Sequence, residues 1–283
     1  MTCKRHHSQH MYQASAYSVS AEFERPKKHS MAPQASVVLA GHGGHGSSRA
    51  STYNVDGLIS FKNAYSEVGG SFDDCHGLHT THAWSVVEGL NVADMLTADR
   101  VVARMAVYHS THGSEATYDI TGSYFENLRI AGHSIEVKLA TDVFHKHDTY
   151  SKVAKAHHAR KTDEWLVGGK LVNLKNKLTG LESEYHALIG MSEVVKEWQN
   201  TKRPEDRGSY WFSPANDLKW NGPSEIQAFG SILCIPKFGV IRLAEMLVHR
   251  HSRTLRMFRV QMCSSGHGTS DGPNSGGGST PPL

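Results

Sequence analysis

Residues 85–110 read SVVEGLNVADMLTADRVVARMAVYHS, and residues 116–139 read ATYDITGSYFENLRIAGHSIEVKL. Between Arg100 and Tyr108 one set of alternate positions holds Val101, Ala103, Met105 and Val107. The other holds Arg100, Val102, Arg104, Ala106 and Tyr108, a mixed set. A period of two sends successive side chains to opposite faces, so this is a strand with one buried face and one partly wet face. Tyr118, Ile120, Gly122 and Tyr124 alternate in the same way, as do Ile135, Val137 and Leu139 around Glu136 and Lys138. Ala131-Gly132-His133 separates Leu128 and Ile130 from that last run and suits a hairpin turn. Val86 to Leu96 fits either a strand or a short helix.

The same period recurs to either side. Tyr17, Val19, Ala21 and Phe23 alternate ahead of Pro26, Ala35–Ala40 is a short strand, and Tyr53–Ala64 is another, closed by Gly69-Gly70. Towards the C-terminus Ile226, Ala228, Gly230, Ile232 and Cys234 alternate, Pro236-Lys237-Phe238-Gly239 carries turn chemistry, and Val240–Val248 and Phe258–Met262 follow. Between these blocks the period changes. Thr149 or Ser151 suits the cap of a helix running to about Leu166. Leu171, Leu174, Leu178, Leu181, Tyr185 and Leu188 then fall at alternating spacings of three and four, a heptad seam on one helix face. That seam packs against a sheet or forms a dimer contact.

The expected architecture is mainly β, an antiparallel sandwich or solenoid-like sheets, with a helical insertion over 149–200. Residues 1–15 read as a flexible leader, 16–148 and 201–263 as the two parts of the β core, and 264–283, rich in Gly, Ser and Pro, as a disordered tail. A short echo links Val55-Asp56-Gly57-Leu58, Val87-Glu88-Gly89-Leu90 and Phe125-Glu126-Asn127-Leu128. Its Gly or Asn position calls for positive φ, in either a repeated unit or three coincident strand-to-turn transitions.

Three stretches together, LNVADMLTADRVVARMAV (90–107), TGSYFENLRIAGHSIEV (121–137) and ILCIPKFGVIRLAEMLV (232–248), resemble the bacterial choice-of-anchor-type β-rich extracellular proteins. The resemblance implies an all-β core and a surface or structural role, and brings no catalytic residues with it. The chain departs from that group in its helical insertion and in its first residues, MTCKRHHSQHMYQ, which show no apolar export segment. On the residues alone the expectation is therefore an intracellular protein; on the resemblance it is a surface protein.

A chain of 283 residues can bury a substantial core. A net charge of +3 gives no argument for nucleic acid, and no apolar run is long enough for a membrane helix. Cys3, Cys75, Cys234 and Cys263 are too few and scattered for a disulfide framework, and Cys234 reads as a buried small hydrophobe. Gly41–Ser48, GHGGHGSS, lacks the Lys-Ser/Thr ending of a phosphate loop and reads as a turn. Arg250, Arg253, Arg256 and Arg259 form a basic run without interleaved exposed aromatics, so they read as a solvated strand face. Tyr210-Trp211-Phe212 and Trp220 read as a core plug or a ligand platform.

Histidine is the chemically suggestive residue, with 20 in the chain. His76, His79 and His82 form an H-x2-H-x2-H run, with Asp73 or Asp74 as an oxygen donor beside it. His42/His45 and His109/His112 repeat the spacing, and His145, His147 and Asp148 lie close together. Neutral imidazole ligates zinc, copper or nickel. All these histidines lie in segments that read as loops. Asp73-Asp74-Cys75-His76 places a thiol beside an imidazole, but adjacent side chains diverge, which argues against a nucleophile pair.

The leading expectation is a non-enzymatic structural or interaction protein without a cofactor, self-associating through sheet edges or the Leu171–Leu188 seam. The alternative is a zinc- or copper-binding protein, or a metal-dependent enzyme, using His76, His79 and His82.

Overall fold

The computed structural model describes residues 10–23, 29–55, 57–112, 115–141, 148–158, 164–167, 170–173, 209–262, 268–271 and 274–280. In chain order the first strands are β1 (Met11–Tyr17), β2 (Val19–Phe23), β3 (His29–Gln34), β4 (Val37–Val38), β5 (Gly44–Val55), β6 (Ile59–Asp73), β7 (Leu78–Val92) and β8 (Leu96–Ser110). Then come β9 (Thr117–Asp119), β10 (Tyr124–Glu126), β11 (Arg129–Ile130), β12 (His133–Leu139), helix α1 (Tyr150–His158), β13 (Glu164–Val167) and β14 (Lys170–Asn173). The last are β15 (Ser209–Phe212), β16 (Ala215–Trp220), β17 (Gln227–Phe229), β18 (Ile232–Ile235), β19 (Gly239–His249), β20 (Ser252–Met262), β21 (Gly268–Asp271) and β22 (Asn274–Thr280).

The protein is mainly β, and its pairings are antiparallel. One sheet runs β17-β18-β19-β20-β21-β2-β3, with β22, β1 and β4 continuing from β20 and β15 beside β19. The other runs β16-β12-β11-β8-β7-β6-β5, with β9 and β10 on β8. Val101, Ala103, Met105 and Val107 of β8 are buried as the alternation requires. They share one apolar cluster with Ile241, Leu243, Leu255 and Val260 of the other sheet, so the two sheets pack as a sandwich. A smaller cluster joins Tyr12, Ala14, Ala16 and Leu39 to Val68 and Ala83. Both sheets are open. Among the described residues β5 pairs with β6 alone and forms an edge. No helix among them is long and apolar enough to cross a membrane.

Several local expectations hold. Ala131 and Gly132 both have positive φ between Ile130 and His133, the backbone of a two-residue hairpin turn. Gly57, Gly89 and Asn127 all have positive φ. They occupy a turn between β5 and β6, the interior of β7 and the step from β10 to β11, so the echo marks three contexts rather than one repeated unit. Thr149 caps α1, its hydroxyl accepting from the Lys152 amide at 3.2 Å. Val153, Ala154 and Tyr210 turn into the core, and Cys234 is buried as expected.

Others are corrected. The helix ends at His158, and Glu164–Val167 pairs with Lys170–Asn173. Leu171 therefore stands in a strand rather than on a helix face, while Leu174, Leu178, Leu181, Tyr185 and Leu188 lie outside the described residues. Val and Leu in the short run Leu171-Val172 satisfy a strand as readily as a helix, which spacing alone cannot resolve. Met11–Ser15 of the expected leader belong to strand β1, and Gly268–Asp271 and Asn274–Thr280 of the expected tail are strands. A strand needs only backbone donors and acceptors, and β22 lies between β1 and β20, pairing with both. Gly69-Gly70 is interior to β6, and Gly44–Ser48 opens β5.

The basic run is not a solvated face. Arg253 is buried, with its guanidinium over the Tyr118 ring. Arg242, Arg256 and Arg259 surround the buried carboxylate of Glu245, with Arg259 at 2.7 Å. β20 is central in its sheet, where one face meets the core and the other is largely covered.

Candidate metal centre

Two long hairpins build the site. Folding back at Gly57 pairs His45 of β5 with Gly69 of β6, and the turn before Leu78 pairs Gly69 with His82 of β7. His45, Gly69 and His82 thus form one row across three strands. Side chains two apart on a strand share a face, so Glu67 stands beside that row on the side away from the sandwich core. Its Oε1 lies 3.7 Å from His45 Nδ1 and 3.9 Å from His82 Nε2. All three donor atoms fall within 4.8 Å of one another. Donors on a tetrahedral zinc with bonds of about 2.0 Å stand about 3.3 Å apart, so a small inward shift closes the set.

Gly69 makes this possible. A Cβ at that position would collide with the His82 imidazole, which occupies the space above the glycine backbone. Burial pushes the His82 imidazole below its ordinary value, reinforced by His45 and Arg104 and opposed by Glu67. The ring is therefore neutral and free to donate a lone pair at neutral pH. The site is half-exposed, with side-chain accessibilities of 59%, 37% and 44% for His45, Glu67 and His82, so the three donors are open to solvent. Farther along the same face Tyr65 and Trp84 meet edge to face at 5.4 Å.

The expected trio does not converge. His79 and His82 are three apart on one strand, so they emerge on opposite faces. His76 lies in the turn after β6, where its Nδ1 is 2.7 Å from Asp73 Oδ2. Asp73 also accepts the amides of Cys75 and His76, and the His76 ring with these bonds holds its carboxyl below the ordinary value. Cys75 is exposed and Asp74 lies in the same turn, so that segment is a self-satisfied turn. His45, His79, His82 and His109 stand on strands rather than in loops, because the hairpins extend through the Gly/Ser/Thr-rich stretches. His145 and His147 lie outside the described residues.

His79 joins a second group on the inner face. It pairs directly across from His109 on β8. His10 stacks on it at 3.8 Å, with Phe72 on it at 4.4 Å. The Tyr12 hydroxyl and His79 Nδ1 share a hydrogen bond of 2.9 Å. His10 Nε2, His79 Nε2 and His109 Nδ1 are buried without a hydrogen-bond partner among the described residues. Burial lowers all three imidazoles, His10 to about 4, and their neighbours His79, His109 and Arg253 add to the effect. The near-parallel rings form a stack rather than a chelate.

His45 was visible in the sequence as half of an H-x2-H pair, but Glu67 carried no motif. Counting outward from the turns at Gly57 and before Leu78 is the signal that brings 45, 69 and 82 into one row. No curated protein and no solved structure matches the chain. The family model for DUF8256, described as a domain of unknown function, matches residues 10–249, and the chain belongs to that family.

Proposed function

We propose that this protein binds a transition metal ion, zinc or copper, through His45, Glu67 and His82 on the outer face of the β5–β6–β7 sheet. The observation that carries the reading is the gathering of two imidazoles and one carboxylate over a glycine that leaves them space. Two nitrogens and one oxygen with an open fourth position form a donor set that zinc accepts, and imidazole suits Cu(II) as well. Each imidazole enters from its own strand, so the ion ties the edge strand β5 to β7 across β6. Isothermal titration of untagged, metal-free protein with zinc and with copper tests it. One site per chain is expected, lost in His45→Ala and His82→Ala and kept in His76→Gln. Equal binding in all four proteins would count against it.

A second reading, a structural or interaction protein that self-associates, is favoured by the 12-residue edge strand β5, paired on one side only among the described residues. It matches the surface or structural role that the choice-of-anchor resemblance implies. Light scattering after size exclusion tests it, and a strict monomer at high concentration contradicts it.

A further inference from the structure

The inner histidines have no part in the proposed metal site, and their arrangement has a consequence of its own. His10 directly precedes β1, Tyr12 lies in it, and His79 and His109 belong to the opposite sheet. The His10–His79 stack and the Tyr12–His79 hydrogen bond join the start of the chain's first strand to β7, and the His10–His109 ring contact joins it to β8. Around them lie Phe72 from β6, Tyr118 from β9 and Arg253 from β20. Glu115 and Asp148 act on Arg253 and Tyr118 rather than on the rings. Asp73, at the end of β6, is engaged by His76 in its turn. β22, which flanks β1, and β4 on its other side carry no ionisable side chain. Among the described residues the charges that act on His10, His79 and His109 are one another and Arg253, and all are of one sign when protonated.

We propose that β1 is an acid-released clamp: protonation of the His10–His79–His109 cluster frees the N-terminal strand from β6 and β7 while the remaining sandwich stays folded. Stacked imidazoles at 3.8 Å tolerate neutral rings, since each offers an apolar face to the next. Two imidazoliums at that distance repel, and Arg253 allows no relief from the far side. The contact most easily broken is the one made by His10, which stands ahead of the β1–β22 ladder, because His79 and His109 are fixed in the continuous ladder of β7 and β8. Release uncovers Val68, Ala83 and Leu39, the apolar floor beneath Tyr12. The coupling belongs to the inner face and does not require the metal.

Hydrogen exchange of the whole chain, corrected for the intrinsic pH dependence of exchange, tests this. The reporters are the Tyr12 amide, which donates to Gly41, and the Leu39 amide, which donates to Ala14. Their protection is expected to fall by about tenfold or more between about pH 7.5 and about pH 5, one factor of ten for each pKa unit of differential protonation. Ile241 and Leu243 in β19 are expected to stay far better protected than Tyr12 throughout, changing only with the global stability. A combined His79→Gln, His109→Gln variant is expected to flatten the response. Where that variant does not fold, imidazole NMR titration of the unaltered protein serves instead, with the rings taking up protons in step with loss of protection at Tyr12. Constant protection at Tyr12 over the range, protection at Tyr12 equal to that of β19 at about pH 5, or rings that titrate while β1 stays protected would overturn the proposal.

Discussion

The His82 imidazole fills the space above Gly69, and one residue later, on the opposite face, the Tyr12 ring fills the space above Gly70. The two glycines let the same point of β6 accept an aromatic ring from each side. Glycine inside a strand weakens it unless something approaches closely, and here both faces are approached.

Gly69→Ala is therefore expected to displace His82 and weaken zinc binding by about 10–100-fold, the range seen when the support of a ligand is removed. Gly70→Ala would set a methyl 2.7 Å from Tyr12 Cδ1. It is expected to cost about 1–3 kcal/mol of stability through overpacking, with zinc affinity unchanged. Zinc competition titrations and denaturant midpoints on the two variants separate these effects.

Glu245→Gln is expected to destabilise the fold by about 3–5 kcal/mol, because it removes the carboxylate that three buried or half-buried arginines share. Glu67→Gln, at a half-exposed carboxylate, is expected to change stability by less than about 0.5 kcal/mol in metal-free protein. Urea unfolding of both variants checks the contrast.

Stability should fall with acid in two stages. The inner imidazoles take up protons less readily in the fold than in the unfolded chain, whose ordinary value is 6.5. The unfolded form therefore binds more protons below that value, and stability declines from about pH 6.5 down to about 4, the value of His10. Glu88 works at lower pH. The hydrogen bond from Arg100 holds its carboxyl below the ordinary 4.5, so its contribution is present above that pH and is lost as pH falls through the folded value. Denaturant midpoints at about pH 7.5, 5.5 and 3.5 should show the first loss diminished by His79→Gln with His109→Gln, and the second by Glu88→Gln.

Phe61→Ala, at a ring 2% exposed in the shared core, is expected to cost about 3–5 kcal/mol. Val38→Ser, at a side chain 72% exposed, should stay within about 0.5 kcal/mol. Thermal or urea unfolding measures both.

The alternation of Val101, Ala103, Met105 and Val107 made β8 legible in the sequence, because a buried face writes itself as a period of two. His79 and His82 were legible as residues but not as partners. A spacing of three within one strand sends them apart, and each finds its neighbours through the register of adjacent strands. Register depends on where the hairpins turn, and the Gly/Ser/Thr-rich run Gly69–Thr81 hid that both hairpin arms continue through it. The tail was illegible for a related reason: Asn274–Thr280 has no apolar pattern and is ordered by backbone pairing with β1 and β20.

The most direct test of the metal reading is anomalous diffraction from crystals of the protein grown with one equivalent of zinc, recorded at the zinc absorption edge. One dominant peak is expected, within about 2.0–2.2 Å of His45 Nδ1, Glu67 Oε1 and His82 Nε2. A dominant peak at His76 and Asp73, or no ordered peak between β5 and β7, would contradict it.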